Sequence, residues 1–303
     1  MMPVDVIFRY LNSVLYAKRM VRSLQAAGAG GPQTAPDNDR GATESTATPS
    51  GTQPVKSAGR ALDILEDLAA HGPSSLHTMA KRLDLPKSSL HALLRTMEGR
   101  GWVETDVTGN LYHLGIHTLL VGSAYLDGEM IVGRINPILD ELAGATGEAV
   151  HLARLEGDQV IYMAKRESTH PLRMFSAVGR RLPAHTTALG RAMLAELPDE
   201  RVRAMLPAKI EQVTPHTTTD PEQLLSILAD ARLHGYAVES QESCLGVGCF
   251  AVALPLSEPA KDAISIAVPL ARLDDALRAD IIERLLEVRR RLQEQPFSRN
   301  WRG

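Results

Sequence analysis

One predicted helix in the first third of the chain carries side chains that are able to bind phosphates and base edges. The segment that contains it reads LDLPKSSLHALLRTMEGRGWVETD over residues 83–106. Its apolar residues follow the i, i+3, i+4, i+7 spacing of one helix face, and they are Leu90, Leu93, Leu94 and Met97. The other face carries hydrogen-bonding groups, on Lys87, Ser88, His91 and Arg95. A solvated helix surface has the same pattern, so the neighbouring elements decide between the two interpretations.

A second group of residues would suit nucleophilic catalysis, with Cys249 as the nucleophile and His185 as its base. A buried, inert thiol is the favoured interpretation, since free cysteine is among the most buried residue types. We expect His185 to cap a helix or to be a hydrogen-bonded core residue. The chain has no G-x-S-x-G, H-E-x-x-H, C-x-x-C or dinucleotide-binding motif. No catalytic residue, metal or cofactor is therefore predicted, and a cysteine-dependent enzyme with an accessory N-terminal helical module stays the alternative.

The composition is that of a globular protein with room for two domains. The chain has 303 residues, of which 44% are hydrophobic and 23% charged, and its formal net charge is −3. This charge excludes a polybasic coat over the whole surface but not a local positive face. Two cysteines are too few for a disulfide framework and favour a reducing, cytoplasmic location. No apolar run approaches the roughly 18 residues that cross a bilayer, so no membrane partner is expected.

The N-terminal part of the sequence predicts a tail followed by a small helical domain. Residues 1–54 include a stretch rich in Gly, Pro, Ser and Thr without apolar periodicity, and we expect a disordered tail there. Two helical patterns follow in SAGRALDILEDLAAHG and SSLHTMAKRLDLP, and the turn Asp84-Leu85-Pro86 separates the second from the polar-faced helix. A β-hairpin with a Thr108-Gly109-Asn110 turn comes next. Residues 55–116 therefore predict a winged helix-turn-helix, whose third helix is free to enter a major groove.

The remainder of the chain predicts a linker helix and an α+β domain. The linker helix is expected over residues 117–130, the second domain over 131–296 and a C-terminal tail over 297–303. Strands are predicted at AVHLARLE, QVIYMAKRE, LRMFSAV, YAVES, GCFAVALPL and AISIAVP, and helices at about 187–196, 221–234 and 274–294. An antiparallel sheet flanked by helices follows from this order.

Seven segments between residues 56 and 295 carry a family resemblance: RALDILEDLA, LPKSSLHALLRTMEGRGWVE, YHLG, TGEAVHLARLEGDQVIYM, VGRRLPAHTTALGRAMLAELP, TPHTTTDPEQLLSILADARLHGYAVESQE and AISIAVP. In this order they resemble the IclR family of bacterial transcriptional regulators. The resemblance implies an α+β fold, in which an N-terminal winged helix-turn-helix domain is joined by a linker helix to a GAF-like α/β effector-binding domain. It also implies double-stranded operator DNA and a small carboxylic-acid effector as partners, and a homodimer or dimer of dimers with the linker helix in the interface.

The DNA-binding residues predicted on this basis all lie in the winged domain: Arg60, Lys87, Ser88, Ser89, His91, Arg95, Thr108 and Asn110. Two positions depart from the family pattern, because relatives commonly have Thr where Ser89 stands and Arg where Ala92 stands. A hydroxyl is kept at the first position, and a potential bidentate contact is lost at the second. Sequence preference is therefore expected to depend on His91 and Arg95.

The effector-binding residues carried over from the family lie in the second domain: Met174, Leu182, Ala188, Leu189, Gly190, Glu239, Val247, Cys249, Ser265 and Ala267. Polar contacts are expected from Glu239, Ser265 and the 188–190 backbone. Relatives that bind small oxoacids tend to have Asp at the first of these positions and Ser at Ala267, which favours a larger or less polar acid here. Two alternatives stay open. Glu239 would instead lie on a solvated strand edge, or the sensor domain would be vestigial and serve only oligomerisation.

Overall fold

The computed structural model describes residues 55–171 and 176–294, and a winged domain opens the first range. Its elements are α1 (Lys56–His71), β1 (Ser74–Ser75), α2 (Leu76–Arg82), α3 (Lys87–Glu98), β2 (Val103–Thr105) and β3 (Leu111–Leu114). The antiparallel sheet has the order β1-β3-β2. The apolar stripes of the three helices meet in one core, built on Ile64, Leu68, Met79, Leu90, Leu94, Met97 and Val103.

Local sequence signals set the bounds of the helix-turn-helix. Ser75 is the N-cap of α2, since its hydroxyl accepts a hydrogen bond of 3.2 Å from the amide of Thr78. After α2, Asp84 adopts a left-handed backbone conformation with φ of 49°, which Asp tolerates better than most residues. Pro86 then precedes α3. Proline has no N–H group, and none is needed at this position, because an N–H at the start of a helix has no intrahelical acceptor. The short turn therefore holds α2 and α3 at a fixed angle.

The loop of the wing is organised by the carboxylate of Asp106. One of its oxygens accepts hydrogen bonds from the amides of Asn110 and Leu111, each at 2.9 Å. The other accepts one from the hydroxyl of Thr108 at 2.7 Å. These bonds lower the pKa of Asp106, because they stabilise the charged form. Gly109 supplies the positive φ of 70° that the turn requires.

Two consecutive helices connect the winged domain to the second domain. They are α4 (Ile116–Gly128) and α5 (Met130–Thr146), and the extended backbone of Glu129 separates them. The expected single helix over 117–130 thus ends at Gly128, because Met130 already starts the helix that packs on the sheet. The side chains that α5 buries are Ile135, Leu139 and Leu142, whereas α4 buries none.

The second domain is built on a six-stranded antiparallel sheet of order β6-β5-β4-β9-β8-β7. Its strands are β4 (Ala149–Glu156), β5 (Gln159–Arg166), β6 (Arg181–Pro183), β7 (Ala237–Ser240), β8 (Val247–Ala253) and β9 (Asp262–Pro269). Its further helices are α6 (Ala188–Leu194), α7 (Asp199–Met205), α8 (Pro221–His234) and α9 (Asp275–Glu294). A tight turn at Gly157-Asp158 joins β4 to β5.

The sheet separates two cores, because successive residues of a strand point to opposite faces. The outer face packs against α5 and α9 through large apolar side chains, among them Leu152, Phe250, Ile264, Ile281 and Leu285. The other face, here called the inner face, packs against α6 and α8. Its central strands carry mainly small residues there, among them Ala153, Cys249, Ala251, Ala263 and Ala267. The central strands thus present small side chains on the inner face and large ones on the outer face.

The structure differs from the sequence prediction at several elements of this domain. The strand expected over LRMFSAV is absent from its described part, 176–178, and the sheet edge is formed instead by β6, which was not predicted. The helix expected at about 187–196 is shorter, because Thr187 caps it and Ala195 ends it. Helix α7 was also not predicted.

The predicted tails 1–54 and 297–303 and the predicted effector-binding residue Met174 lie outside the described residues. Within those residues, no helix is long and apolar enough to cross a bilayer.

Candidate DNA-reading helix and effector-binding face

The polar face of α3 is exposed and its apolar face is buried. Leu90, Leu94 and Met97 lie in the winged-domain core, while Lys87, Ser88, His91 and Arg95 lie at the surface. Since consecutive helical residues are rotated by about 100°, the four polar side chains fall within an arc of about 100°. The four side chains therefore form one narrow polar stripe along the helix. A stripe of this width fits within the major groove of DNA.

The stripe is chemically available. In the two described ranges, no intramolecular hydrogen bond or ion pair holds the side chain of Lys87, His91 or Arg95. Ser89 on α3 and Arg60 on α1 are half-buried. By contrast, Thr108 and Asn110 are exposed but hydrogen-bonded within the wing. The side-chain amide of Asn110 donates to the Thr108 hydroxyl at 3.1 Å. The hydrogen bonds of those two side chains therefore stabilise the loop of the wing.

A partly buried ion pair fixes the helices that support α3. Arg82 at the end of α2 donates two hydrogen bonds of 2.7 and 2.6 Å to the carboxylate of Asp67 on α1. The same guanidinium donates to the hydroxyl of Ser74 at 2.8 Å. Such bidentate geometry is specific as well as attractive. Arg82 is basic, but its side chain is therefore engaged within the fold.

Register places most of the predicted effector residues on the inner face of the second domain. Glu239, Cys249 and Ala267 form one row across β7, β8 and β9. Ser265 lies two residues along β9 on the same face, since side chains alternate. Val247 and the half-buried Leu182 belong to the same core, as do Ala188 and Leu189 on α6. The fold thus brings residues from distant segments together on one side of the sheet.

The carboxylate of Glu239 is buried, which contradicts the alternative of a solvated strand edge. Glu239 is 1% exposed. Its oxygens accept hydrogen bonds from the Glu242 amide at 2.9 Å and from the Ser243 hydroxyl at 3.0 Å. Burial raises the pKa of Glu239, while these bonds and the nearby Cys249 thiol oppose the shift. Glu239 therefore holds the loop that joins β7 to β8, and its hydrogen-bonding capacity is already used in part.

The start of α6 is also partly occupied by internal bonds. The amide of Gly190 donates to the hydroxyl of Thr187 at 2.9 Å. Gly190 is required for close packing, because a Cβ atom there would lie 2.1 Å from the carbonyl oxygen of Ala184. The buried guanidinium of Arg191 ties this helix to the β7–β8 loop through a 2.5 Å ion pair with Glu242.

The inner face also buries the imidazole of His151 on β4, a polar group that is not among the residues predicted from the sequence. The ring is 1% exposed, and its Nε2 lies 2.9 Å from the hydroxyl of Ser176. It meets the ring of Tyr162 edge to face, with 5.2 Å between centroids. Burial lowers the pKa of His151 to about 4, so the ring is neutral near pH 7. A histidine at an alternating position of AVHLARLE was the available signal.

The residues of the catalytic alternative are not arranged as a nucleophile and base. Cys249 is buried, and burial raises the pKa of its thiol well above the ordinary value, which disfavours the thiolate. Nε2 of His185 pairs with the carbonyl oxygen of Glu211 at 3.0 Å. Burial lowers the pKa of His185 as well. Across the described ranges, no group of three His, Cys, Asp or Glu side chains is arranged to hold a metal ion.

A network of charges holds the linker to the second domain. Arg154 at the end of β4 donates to Asp262 on β9 at 2.8 Å and to Glu129 between α4 and α5 at 2.8 Å. It also donates to the hydroxyl of Tyr125 on α4 at 3.1 Å. These residues line a cavity of about 740 Å³ that reaches Leu256. The junction between α4 and α5 is thus anchored to two central strands of the sheet.

A winged helix-turn-helix whose third helix presents an available polar stripe is the architecture of a DNA-binding protein. Residues 57–107 match the IclR helix-turn-helix domain, and residues 123–293 match the family described as bacterial transcriptional regulator IclR C-terminal. The chain belongs to the IclR family of transcriptional regulators, and the fold class predicted from the sequence is confirmed.

Relatives of known name and structure agree with this membership. The transcriptional repressor IclR of Escherichia coli K12 is 34% identical over 244 residues, which are 78% of this chain and 88% of that protein. An IclR regulator from Alicyclobacillus acidocaldarius has a TM-score of 0.70 at 25% identity, over 80% of this chain and 98% of that one. An IclR homologue from Microbacterium hydrocarbonoxydans, solved with 4-hydroxybenzoate, has a TM-score of 0.64 at 23% identity, over 79% and 100%.

Proposed function

We propose that this protein binds operator DNA through the polar stripe of α3, and that a small carboxylic acid on the inner face of the second domain modulates this binding. The observation that carries the proposal is the set of exposed, unengaged side chains of Lys87, His91 and Arg95 on a helix whose other face is locked in the core. Arg and His bind guanine and phosphate well, and the wing stands beside them to contact the backbone.

The DNA-binding part is tested by comparing a specific with a nonspecific duplex. The specific duplex is the intergenic DNA next to the gene, and the nonspecific one has a scrambled sequence of equal length. We expect Arg95→Ala and His91→Ala to weaken binding to the specific duplex about 5- to 150-fold, since base contacts contribute about 1–3 kcal/mol. Arg203→Ala, an exposed arginine in the second domain, is the matched control. Equal losses on both duplexes would instead assign phosphate contacts.

The effector part rests on the family, on the inner face and on the acid held by the Microbacterium homologue. A lining of Ala, Cys and Ser beside Tyr162 suits a small acid with an apolar or aromatic body. Thermal shift and operator binding with benzoate, 4-hydroxybenzoate, pyruvate and acetate test this part. A ligand at 100 times its dissociation constant stabilises by about 2.7 kcal/mol. A sensor domain that only mediates oligomerisation would show neither a shift nor altered DNA binding.

Homodimerisation through α4 completes the proposal. Leu119 and Leu120 are 62% and 60% exposed, and Ile116, Val121 and Tyr125 are exposed on the same helix. A largely apolar helix that buries none of its side chains calls for a partner, and a second copy would also supply the second reading helix. We expect Leu119→Lys/Leu120→Lys to shift the sedimentation of the protein from dimer to monomer and to weaken operator binding. A wild-type monomer at micromolar concentration would refute this interface.

A further inference from the structure

One polar atom on the inner face lacks a partner. Among the described residues that are not exposed, Nδ1 of His151 is the buried side-chain nitrogen or oxygen without a hydrogen bond. Buried polar groups in native proteins are nearly always satisfied by protein, water or ligand. The other ring nitrogen of the same residue is satisfied by Ser176 at 2.9 Å. The ring is therefore held in place while one of its nitrogens stays available.

The register of the sheet places this ring beside the predicted effector residues. His151 pairs directly with Ser265 across β4 and β9, so the two side chains are neighbours on one face. Its sequence neighbours Val150 and Leu152 belong to the outer core, which confirms that His151 points inward. Glu239 lies on the same face, yet its oxygens already accept bonds from Glu242 and Ser243.

The surroundings of the ring indicate which chemistry the available nitrogen offers. A neutral imidazole has one proton, and the hydroxyl of Ser176 is able to donate to Nε2, which leaves the proton on Nδ1. Lys165 pairs with His151 across β4 and β5, and its ammonium group donates to the carbonyl oxygen of Ser176. This positive charge favours a negative oxygen near the ring over a second N–H group. Lys165 also forms an ion pair of 2.5 Å with half-exposed Glu167, and the charge of Lys165 acts on the ring more strongly than that of Glu167.

We propose that Nδ1–H of His151 is a specificity-determining group of the sensor, and that it donates a hydrogen bond to a carboxylate oxygen of the effector. This inference rests on the proposed function and adds to it the atom that recognises the acid. Ser176 acts as a positioning residue, because its hydroxyl sets the tautomer of the ring.

Two substitutions of His151 distinguish the contribution of Nδ1 from that of Nε2. The amide nitrogen of Asn is two bonds from Cβ, as Nδ1 is, so His151→Asn keeps a donor near the available position. The amide nitrogen of Gln is three bonds from Cβ, as Nε2 is, so His151→Gln keeps the contact with Ser176 and loses the proposed one. Isothermal titration with benzoate, 4-hydroxybenzoate, pyruvate and acetate measures both variants against the wild type. We expect His151→Gln to lose at least about tenfold in affinity and His151→Asn to lose about threefold or less.

Controls distinguish the outcomes. Both variants should bind operator DNA without acid as the wild type does. Equal acid affinity in all three proteins would show that Nδ1 holds only a buried water, and equal losses in both variants would assign the ring a packing role. Either result overturns the inference and leaves the proposed function standing. If none of the four acids binds the wild-type protein, the inference and the effector part of the proposed function are both overturned, while the DNA-binding part is judged by its own test.

A measurement on the wild-type protein covers the case in which a variant fails to fold. With ¹⁵N-labelled histidine, the Nδ1–H of His151 should give a solvent-protected resonance, assigned through the change that Ser176→Ala causes. We expect this resonance to move when a binding acid is added. An unprotonated Nδ1, or a resonance that does not respond to bound acid, would overturn the inference.

Discussion

Replacing Arg154 by methionine should destabilise the second domain and uncouple it from the linker. The guanidinium binds Asp262, whose side chain is 7% exposed, and Glu129, whose side chain is 18% exposed. Burial raises the pKa of Asp262 and Arg154 opposes that shift, so the variant would leave a buried carboxylate without its cation. Removing one member of a buried ion pair costs about 3–5 kcal/mol of unfolding free energy. Because Arg154 is partly exposed, we expect a loss of about 3 kcal/mol for Arg154→Met.

Urea unfolding followed by circular dichroism at pH 7 measures this loss. Arg203→Met is the matched control, because its pair with Glu222 is 48% and 69% exposed and should contribute less than about 1 kcal/mol. Glu129→Gln removes the negative charge that Arg154 binds at the linker and keeps Asp262 paired, so we expect a cost of about 1 kcal/mol. A loss in Arg154→Met no larger than that in Arg203→Met would refute the reasoning.

The same variants test whether this network transmits the effector signal. Arg154 and Asp262 lie three residues from His151 and Ser265 on the same two strands, about 10 Å along each strand. We expect Glu129→Gln to bind an acid as tightly as the wild type while the acid changes its operator affinity less. An unchanged ratio of operator affinities with and without acid would show that coupling takes another route.

Three further predictions concern stability. Since burial lowers the pKa of His151 from 6.5 to about 4, the ring contributes stability above pH 6.5 that is lost as the pH falls towards 4. Between pH 7 and pH 5, wild-type unfolding free energy should therefore fall about 2 kcal/mol more than that of His151→Asn, and parallel curves would contradict the shift. Gly190→Ala should prevent stable folding, because its Cβ would clash with backbone, and a melting temperature within about 2 °C of wild type would contradict this. Removing residues 1–54 should leave the melting temperature and operator binding nearly unchanged, and a large fall on truncation would show that the tail packs on the fold.

The elements with strong local patterns were predictable from the sequence. The stripe of α3 is buried at Leu90, Leu94 and Met97 as its spacing predicts. Helix α8 spans Pro221–His234, the range that its pattern indicates, since Asp220 caps its start and Gly235 its end. By contrast, β1 and β6 have two and three residues, and only pairing with distant strands makes them strands. No local period could reveal them.

Hydrogen bonds decide which residues of the candidate sites are available, and a sequence does not show these bonds. Thr108, Asn110 and Glu239 have suitable chemistry, yet each is already bonded within the fold. To bind a partner they would have to break a bond that contributes about 1 kcal/mol. A side chain without an intramolecular hydrogen bond binds a partner without this cost. Recognition should therefore concentrate on the unengaged side chains of α3 and on His151, although the sequence pattern gives the bonded residues equal weight.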